Sequence, residues 1–335
     1  MSMTTINAYV VRHRSGRAEP FSYERKLGND DVLVRITHCG IARGDIQFMD
    51  DDWGDTRFPL VPGHEIIGRV EKSGDTVTDL LVGDRVGVGY QQAACFSCEF
   101  CRSGNEHLCP DQKVIGVDCY GGLAEHIVVD HRFAFKIPPA LDSATSTPLL
   151  SSGLTVYSAI VRAHLPDRSE VAVSGIGGLG SLAIQFLRNM GHHVSALSHS
   201  PEKKATIEAL GATYIDSANL DSHALSKKFD FFLSTVNASF DLNACLRMLR
   251  PLGKLCFVAQ PLEPLAISVG ALYDGAQRTV YGNYVGSRSC MAAMLEFATA
   301  HGIGSAVHVM PFANVNEAID MVRNRVVSTR VVLQH

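Results

Sequence analysis

Residues 170–190 read EVAVSGIGGLGSLAIQFLRNM, and this stretch decides the fold. An apolar run ends at Ser174, the motif G-x-G-x-x-G follows at Gly175–Gly180, and an amphipathic segment begins directly after it. In this order the first glycine permits a tight turn, the second lets backbone N–H groups approach a pyrophosphate, and the third lets the helix pack on the strand. The stretch therefore predicts a strand–turn–helix unit that binds a dinucleotide. A glycine-rich turn without a ligand is the alternative.

The character of the sequence changes along the chain. Up to Pro148, short β-branched runs are separated by Gly, Asp and Pro, which is typical of β-structure. From Glu170 onward, apolar strands alternate with amphipathic helices, which predicts a doubly wound parallel sheet. A chain of 335 residues is too long for one ordinary core. We therefore expect an α/β protein with two domains.

The end of the strand that follows the glycine motif indicates which coenzyme binds. In NAD-binding units a carboxylate about 20 residues past the glycines binds the ribose 2′-hydroxyl. Residues 196–204 read ALSHSPEKK here, with no carboxylate at the strand end. Hydroxyls and cations suit a 2′-phosphate, so we expect NADP(H), bound by Ser198, His199, Ser200 and Lys203. In the alternative interpretation, the two lysines form only the solvated first turn of a helix.

Four cysteines fall in the run CFSCEFCRSGNEHLC, at Cys95, Cys98, Cys101 and Cys109. The spacing C-x2-C-x2-C-x7-C suits one tetrahedral Zn²⁺ bound by four thiolates. Such a site stabilises a fold but has no open position for chemistry. Two short-range disulfides in a secreted protein are the alternative, but the sequence begins without a signal-peptide pattern. We expect one structural zinc per chain.

Composition excludes several classes of function. The net charge is −4 and no basic run is present, so nucleic-acid binding is not expected. Apolar stretches are all shorter than the roughly 20 residues needed to cross a bilayer. Hydrophobic residues make up 46% and charged residues 19%, as in globular proteins. We expect a cytoplasmic protein with a small-molecule substrate.

Several segments together resemble the medium-chain dehydrogenase/reductase superfamily, and within it the cinnamyl alcohol dehydrogenase-like group of zinc-type alcohol dehydrogenases. Besides the cysteine run and the glycine motif, they are VPGHEIIG at 61–68, PLLSSGLTVYS at 148–158 and GNYVGS at 282–287. The resemblance implies a GroES-like β-rich catalytic domain, built from residues 1–151 and 288–335, and a Rossmann domain of residues 152–287. It also implies a homodimer that pairs through the edge of the Rossmann sheet.

In that family the catalytic zinc takes a Cys from C-G-x-C-H-T-D, the His and often the Glu of G-H-E, and a Cys from P-L-L-C. This chain has His64 and Glu65, but Ala42 and Ser151 stand at the two cysteine positions. One imidazole and one carboxylate are too few for a catalytic zinc, which normally takes three protein ligands. We therefore expect this zinc to be absent. A non-standard ligand set that adds Asp45 is the alternative.

The proton relay of the family is altered as well, because Gly44 and Gln47 replace its hydroxyl residue and its distal histidine. Without zinc to polarise a carbonyl, hydride from NADPH suits substrates with their own electron sink, such as a conjugated C=C or an iminium. In this hypothesis His64, Glu65, Asp45 and Ser151 orient the substrate or relay a proton, and His64 is the best donor.

Three alternatives stay open at this point. The chain could be a zinc-dependent aldehyde reductase or alcohol dehydrogenase with a non-standard metal site. It could be a catalytically inactive NADPH-binding protein. Whichever of these functions the chain has, His64 could be a hydrogen-bonded structural residue without a chemical role.

The resemblance assigns further coenzyme contacts. Arg43 and Arg330 are expected on the pyrophosphate, together with the backbone of the glycine motif. The residues expected along the glycine motif are Gly175, Gly177, Gly178, Leu179 and Gly180. The residues expected near the nicotinamide and its ribose are Thr155, Val258, Ala259, Gly282 and Asn283.

Overall fold

The structure is a computed structural model that describes residues 3–218, 223–273 and 275–335. The strands are β1 (Met3–Val10), β2 (Glu19–Lys26), β3 (Asp31–Ile41), β4 (Glu65–Ser73), β5 (Arg85–Val88), β6 (Gln91–Ala93), β7 (Lys113–Val114), β8 (His126–Asp130), β9 (Ala134–Lys136), β10 (Glu170–Ser174), β11 (His193–Ser198), β12 (Thr213–Asp216), β13 (Phe229–Ser234), β14 (Leu249–Phe257), β15 (Thr279–Gly282), β16 (Val307–Pro311) and β17 (Arg330–Gln334). The α-helices are α1 (Arg43–Met49), α2 (Glu99–Arg102), α3 (Ser143–Ser146), α4 (Ser152–Ala163), α5 (Gly178–Asn189), α6 (Lys204–Ala209), α7 (Leu242–Met248), α8 (Val269–Tyr273), α9 (Arg288–His301) and α10 (Val315–Arg323).

The chain divides into two compact units. The first unit comprises Met1–Ser151 and Ser287–His335, and the second comprises Ser152–Gly286. Residues 1 and 2, at the start of the expected catalytic domain, and residues 219–222 and 274, in the expected Rossmann domain, lie outside the described residues. Among the described residues, no helix combines the length and the apolar character that crossing a membrane requires.

The first unit is built on a seven-stranded sheet with the order β16-β17-β3-β4-β5-β9, in which β8 also pairs with β3. Strand β3 lies at the centre and pairs antiparallel with β4, β8 and β17. Its sequence, DVLVRITHCGI, is rich in β-branched residues, and most of its side chains are buried. The central position of β3 brings its carboxyl end beside the beginnings of β4 and β17.

The second unit contains a six-stranded sheet with the order β12-β11-β10-β13-β14-β15, all parallel. Counted from β10, this is the order 3-2-1-4-5-6 of a doubly wound dinucleotide-binding sheet. Helix α5 packs on β10 and β11, α6 on β12, and α7 on β14. The sheet confirms the α/β fold that the sequence predicts.

Aromatic side chains fill the core of the second unit. Phe186 of α5 and Phe229, Phe231 and Phe232 of β13 are fully buried. Burial of such a side chain contributes roughly 1.5–3 kcal/mol relative to leaving it exposed. This core fixes β13 and α5 on either side of the loop that carries the glycine motif.

Candidate functional sites

The four cysteines of the run converge in the first unit. Their four sulfur atoms all lie within 4.8 Å of one another. The Sγ of Cys95 is 3.9 Å from that of Cys101 and 3.5 Å from that of Cys109. A tetrahedral zinc with bonds of about 2.3 Å requires sulfur–sulfur distances of roughly 3.8 Å. The cluster therefore fits one tetrahedral metal ion.

The backbone of this loop also prepares the thiols for a cation. Hydrogen bonds from Ser97 and from the Cys98 N–H lower the pKa of Cys95 to about 6. Burial raises the pKa of Cys101 to about 12, but a bound cation deprotonates a coordinating thiol outright. Cys98 caps helix α2 by accepting the N–H of Cys101. These hydrogen bonds shape the loop around the four thiols.

A second group of polar side chains forms where three strand ends meet. Gly40 near the end of β3 pairs with Glu65 at the start of β4, and Val331 of β17 pairs with Ile41 of β3. A Cβ on Gly40 would lie 2.5 Å from Oε2 of Glu65. Glycine at this position therefore leaves the space that the carboxylate of Glu65 occupies.

Asp45 and His64 form a buried hydrogen-bonded pair at these strand ends. Oδ1 of Asp45 lies 2.8 Å from Nδ1 of His64 and also accepts the N–H of Gly63 at 2.8 Å. Oδ2 of Asp45 accepts the N–H of Ala42 at 2.7 Å and so caps helix α1. The side chains of His64 and Asp45 are 6% and 2% exposed. Asp45 is therefore occupied as an acceptor and fixes His64 through Nδ1.

The charges of this pair support each other. Burial by itself lowers the pKa of His64, but the charge and the hydrogen bond of Asp45 outweigh it and raise the pKa above 6.5. Burial raises the pKa of Asp45, and the charge of His64 with three hydrogen bonds brings it below its ordinary value. Each group thus favours the charged form of the other.

Glu65 is paired with an arginine rather than with His64. Nε of Arg330 lies 3.2 Å from Oε2 of Glu65, whose side chain is fully buried. Nη1 of Arg330 donates to the carbonyl of Ile41 at 3.4 Å. Arg43, the other residue expected on the pyrophosphate, is half-buried and donates through Nη1 to the carbonyl of Arg323 at 3.3 Å.

Among the residues described, the cysteine cluster is the one group of three or more His, Cys, Asp or Glu side chains that could hold a metal ion. Asp45 and Glu65 each have another partner in the first unit, so binding a metal there would break the pairs just described. Cys39, on β3, is buried with Sγ close to Gly63 and Gly122. The hydrogen bond from Asp45 holds His64 through Nδ1, an arrangement that positioned acids and metal-binding histidines share.

Of the replaced family positions, Gly44 and Ala42 lie beside the dyad of Asp45 and His64. A Cβ on Gly44 would lie 3.4 Å from Cε1 of His64. Because residue 44 is glycine, it has no side chain that covers this edge of the imidazole. Ala42, the N-cap residue of α1, and Gln47, within α1, are both buried. Ser151 is 9% exposed. The turn 147–150 that precedes Ser151 packs on β4, where Thr147 and Glu65 both lie against Gly40.

Tyr90 is a neighbour of His64 that the sequence did not reveal. The two rings lie edge to face, with centroids 5.7 Å apart and an interplanar angle of 89°. Tyr90 follows Gly89, whose backbone is so close to the carbonyl of Leu150 that a Cβ would lie 2.3 Å from it. In the sequence, Tyr90 is visible only as an aromatic residue after the run DRVGVG, and no local pattern predicts that it lies beside His64.

In the second unit the glycine motif has the conformation that a pyrophosphate site requires. Gly175 has φ +87°, which favours glycine, and Gly177 is the N-cap of α5. A Cβ on Gly177 would meet no atom within 4 Å, whereas one on Gly180 would lie 2.2 Å from the carbonyl oxygen of Gly175. Gly178 and Leu179 form the first turn of α5. The N-terminus of this helix fits an anion.

The residues expected at the 2′-phosphate lie around the carboxyl end of β11. Ser198 is buried and its Oγ accepts the N–H of Ser200 at 3.2 Å, while His199 is exposed. Nζ of Lys203 donates to the carbonyl of Ile176 in the glycine motif at 2.8 Å. Lys203 is therefore tied to the loop that would bind the pyrophosphate.

The residues expected near the nicotinamide form a partly connected group within the second unit. Nδ2 of Asn283 donates to Oγ of Ser158 at 2.7 Å and to the carbonyl of Thr155 at 3.4 Å. The N–H of Val258 donates to the carbonyl of Ser234. Thr155, Val258, Ala259 and Asn283 are half-buried, and Gly282 is exposed.

Family models match both parts of the chain. The model described as alcohol dehydrogenase GroES-like domain matches residues 28–139, and the one described as zinc-binding dehydrogenase matches residues 178–300. The aldehyde reductase AdhA of Synechocystis is 38% identical over 333 residues, with 98% of this chain and 99% of the relative covered. The probable formaldehyde dehydrogenase AdhA of Bacillus subtilis is 39% identical, with 96% and 95% covered.

Solved structures agree with these matches. A cinnamyl alcohol dehydrogenase from Sorghum bicolor has a TM-score of 0.94 and 32% identity, covering 99% of this chain and 98% of that one. The cinnamyl alcohol dehydrogenase of Helicobacter pylori, complexed with NADP(H), has a TM-score of 0.92 and 26% identity, with 99% of each chain covered. The first unit is therefore GroES-like and the second a Rossmann domain. The chain belongs to the medium-chain dehydrogenase/reductase superfamily, and within it to the cinnamyl alcohol dehydrogenase-like group of the zinc-type alcohol dehydrogenases, as an oxidoreductase in which two catalytic-zinc cysteines are replaced.

Proposed function

We propose that this oxidoreductase uses NADPH to reduce an activated double bond, a conjugated C=C or an iminium, without a catalytic zinc. The observation that carries the proposal is the buried Asp45–His64 pair, joined at 2.8 Å through Nδ1. It stands where relatives of the group would bind the metal, and alanine and serine replace both thiolates there. In this proposal His64, held in position by Asp45, acts as a general acid in place of the zinc that serves as a Lewis acid in the family.

His64 is the proton donor in this proposal. Asp45 holds Nδ1, so Nε2 is the nitrogen that exchanges a proton with the substrate. When bound, NADPH supplies the hydride. For a conjugated C=C, hydride adds to the β-carbon, and the proton from Nε2 completes the reduction at the α-carbon. An iminium carbon needs only the hydride, because it is already positively charged.

In this proposal the remaining polar groups orient the substrate, balance charge or bind the coenzyme. Ser151, at the family position of a zinc ligand, contributes a hydroxyl, and Glu65 balances the charge of Arg330. Residues of the second unit bind the coenzyme: the glycine motif the pyrophosphate, and Ser198, His199, Ser200 and Lys203 the 2′-phosphate. The NADP(H) complex of the Helicobacter pylori relative supports this choice of coenzyme.

The four cysteines bind a structural zinc in this proposal, supported by sulfur–sulfur distances close to those of a tetrahedral site. Thiolate ligation requires a reducing compartment, which fits a cytoplasmic location. We also propose a homodimer that pairs through an edge of the six-stranded sheet, on family analogy.

Product identification tests the reaction. With an α,β-unsaturated aldehyde and NADPH, we expect the saturated aldehyde, and about one zinc per chain in protein purified without chelators. The Ala42→Cys/Ser151→Cys double variant is the matched control, because it restores both thiolates. It should gain about one further zinc and shift the product toward the allylic alcohol.

A zinc-dependent aldehyde reductase with a non-standard metal site is the second candidate, and the aldehyde reductase AdhA of Synechocystis favours it. About two zinc ions per wild-type chain and an allylic alcohol as product would establish it and refute the zinc-free proposal. Tight NADPH binding without turnover of any substrate in a broad panel would instead indicate an inactive binding protein.

A further inference from the structure

The third strand of the Rossmann sheet brings a carboxylate to the place where the sequence shows none. Strands β11 and β12 are parallel, and Asp216 at the end of β12 is the register partner of Ser198 at the end of β11. The N–H of Ser217 donates to the carbonyl of Ser198 at 3.1 Å, which locks the two strand ends together. The Cα atoms of Asp216 and Ser198, a residue expected to bind the 2′-phosphate, are therefore one strand spacing apart, about 4.8 Å.

The surroundings of Tyr214 indicate which strand end lies near the charge of Asp216. The hydroxyl of Tyr214 donates to the carbonyl of Ser198 at 3.3 Å, so it lies at the end of β11. Burial, followed by the charges of Asp216 and Glu202, raises the pKa of this hydroxyl. Asp216 and Glu202 are thus both near enough to affect this hydroxyl, which lies at the strand end where the sequence predicts the 2′-phosphate.

The cation of this pocket is already engaged. Nζ of Lys203 lies 2.8 Å from the carbonyl of Ile176, and Lys204 lies 3.9 Å from Glu208 in an exposed pair. Of the two lysines in the run 196–204, Lys203 is thus held at the glycine motif and Lys204 has a carboxylate partner of its own, while Asp216 adds a negative charge beside Ser198. A phosphate of charge near −2 close to a fixed carboxylate is repelled, more so at low ionic strength.

We propose that Asp216 is a specificity-determining residue that weakens binding of the 2′-phosphate, so that NAD(H) remains a second coenzyme although NADP(H) is preferred. The inference rests on the proposed function, because it concerns the coenzyme of that same site. Asp216 acts on the adenosine end of the coenzyme alone and leaves the Asp45–His64 pair unaffected.

The test compares Asp216→Asn with a matched control. Asparagine keeps an Oδ1 that can accept the N–H of Ala218, as Asp216 does at 2.9 Å, so the turn is retained. The control, Glu170→Gln, removes the same charge at the amino end of β10, whereas coenzymes bind at the carboxyl ends of such sheets. Dissociation constants of NADPH and NADH, and displacement by 2′,5′-ADP and by 5′-AMP, are measured by fluorescence titration.

Asp216→Asn is expected to raise the affinity for NADPH and 2′,5′-ADP about five-fold, and more at low salt, with NADH and 5′-AMP changed less than about two-fold. Glu170→Gln should change none of them. An unchanged NADPH-to-NADH ratio in Asp216→Asn overturns the inference, as does a wild-type protein that fails to bind NADH. A protein that shows the expected ratios but reduces no activated double bond refutes the proposed function while the inference stands.

Discussion

Two groups of side chains with metal-binding chemistry lie in the first unit, and their geometry differs in kind. In the cysteine cluster, four sulfur atoms converge within 4.8 Å and each has a lone pair to give. At the strand ends, Asp45 already binds His64 and two backbone N–H groups, and Glu65 binds Arg330. Four sulfur atoms that converge in this way offer a complete tetrahedral ligand set, whereas at the strand ends only His64 and Glu65 remain of the ligands that the family uses. The comparison therefore separates a site whose ligands are all present from one in which both thiolates are replaced.

Removal of one thiolate from the cluster should have the largest effect. Cys98→Ser is expected to abolish zinc binding and to lower the free energy of unfolding by about 5 kcal/mol or more, because zinc binding is coupled to folding of its loop. Zinc content and thermal unfolding measure this. Cys290→Ser removes a half-buried thiol outside the cluster and should keep the zinc. Equal loss of zinc in both variants would contradict a site at the four cysteines.

The buried pair of Glu65 and Arg330 should come next. Arg330→Met leaves the fully buried Glu65 carboxylate without this cation and is expected to cost about 3–5 kcal/mol of unfolding free energy. The control is Arg17→Met, since Arg17 pairs with Asp320 at 3.7 Å on the surface and should cost at most about 1 kcal/mol. Chemical denaturation measures both. Similar small losses would show that the strand ends are more hydrated than the burial of Glu65 indicates.

The same contrast explains what sequence reasoning could reach. The cysteine spacing and the glycine motif are local patterns, so the convergence of Cys95 with Cys109 and the turn at Gly175 could be predicted. The pair Glu65–Arg330 joins strands that are distant along the chain, and only sheet order brings them together. Ser198 and Asp216 lie on consecutive strands, but their pairing depends on a register that the sequence does not reveal. The end of β11 therefore has no carboxylate in sequence, although the neighbouring strand places one beside it.

Loss of the acid should reduce turnover even in protein that remains folded, and because Asp45 then loses its cationic partner in a buried pair, some loss of stability is expected as well. His64→Gln is expected to lower kcat for reduction of an activated C=C about 100-fold, the typical contribution of a positioned general acid. The KM of NADPH should change little, because its binding residues are elsewhere in the chain. Steady-state kinetics with an unsaturated aldehyde provide the measurement. Gln47→Ala, on the same helix as Asp45, is the control and should retain most activity; a full rate in His64→Gln would show that His64 is a structural residue.

The smallest expected effect is a displacement of the pH profile. The pKa of His64 lies above 6.5 because the charge of Asp45 outweighs the effect of burial. Reduction that uses the imidazolium is therefore supported below that pKa and is lost as the pH rises through it. Asp45→Asn removes the charge, so the descending limb of kcat should move to lower pH, toward or below 6.5. A bound zinc would instead require His64 to be deprotonated, and the rate would then fall on the acid side. The direction of the limb, measured from pH 5 to 9, thus separates the dyad from a metal site at these strand ends.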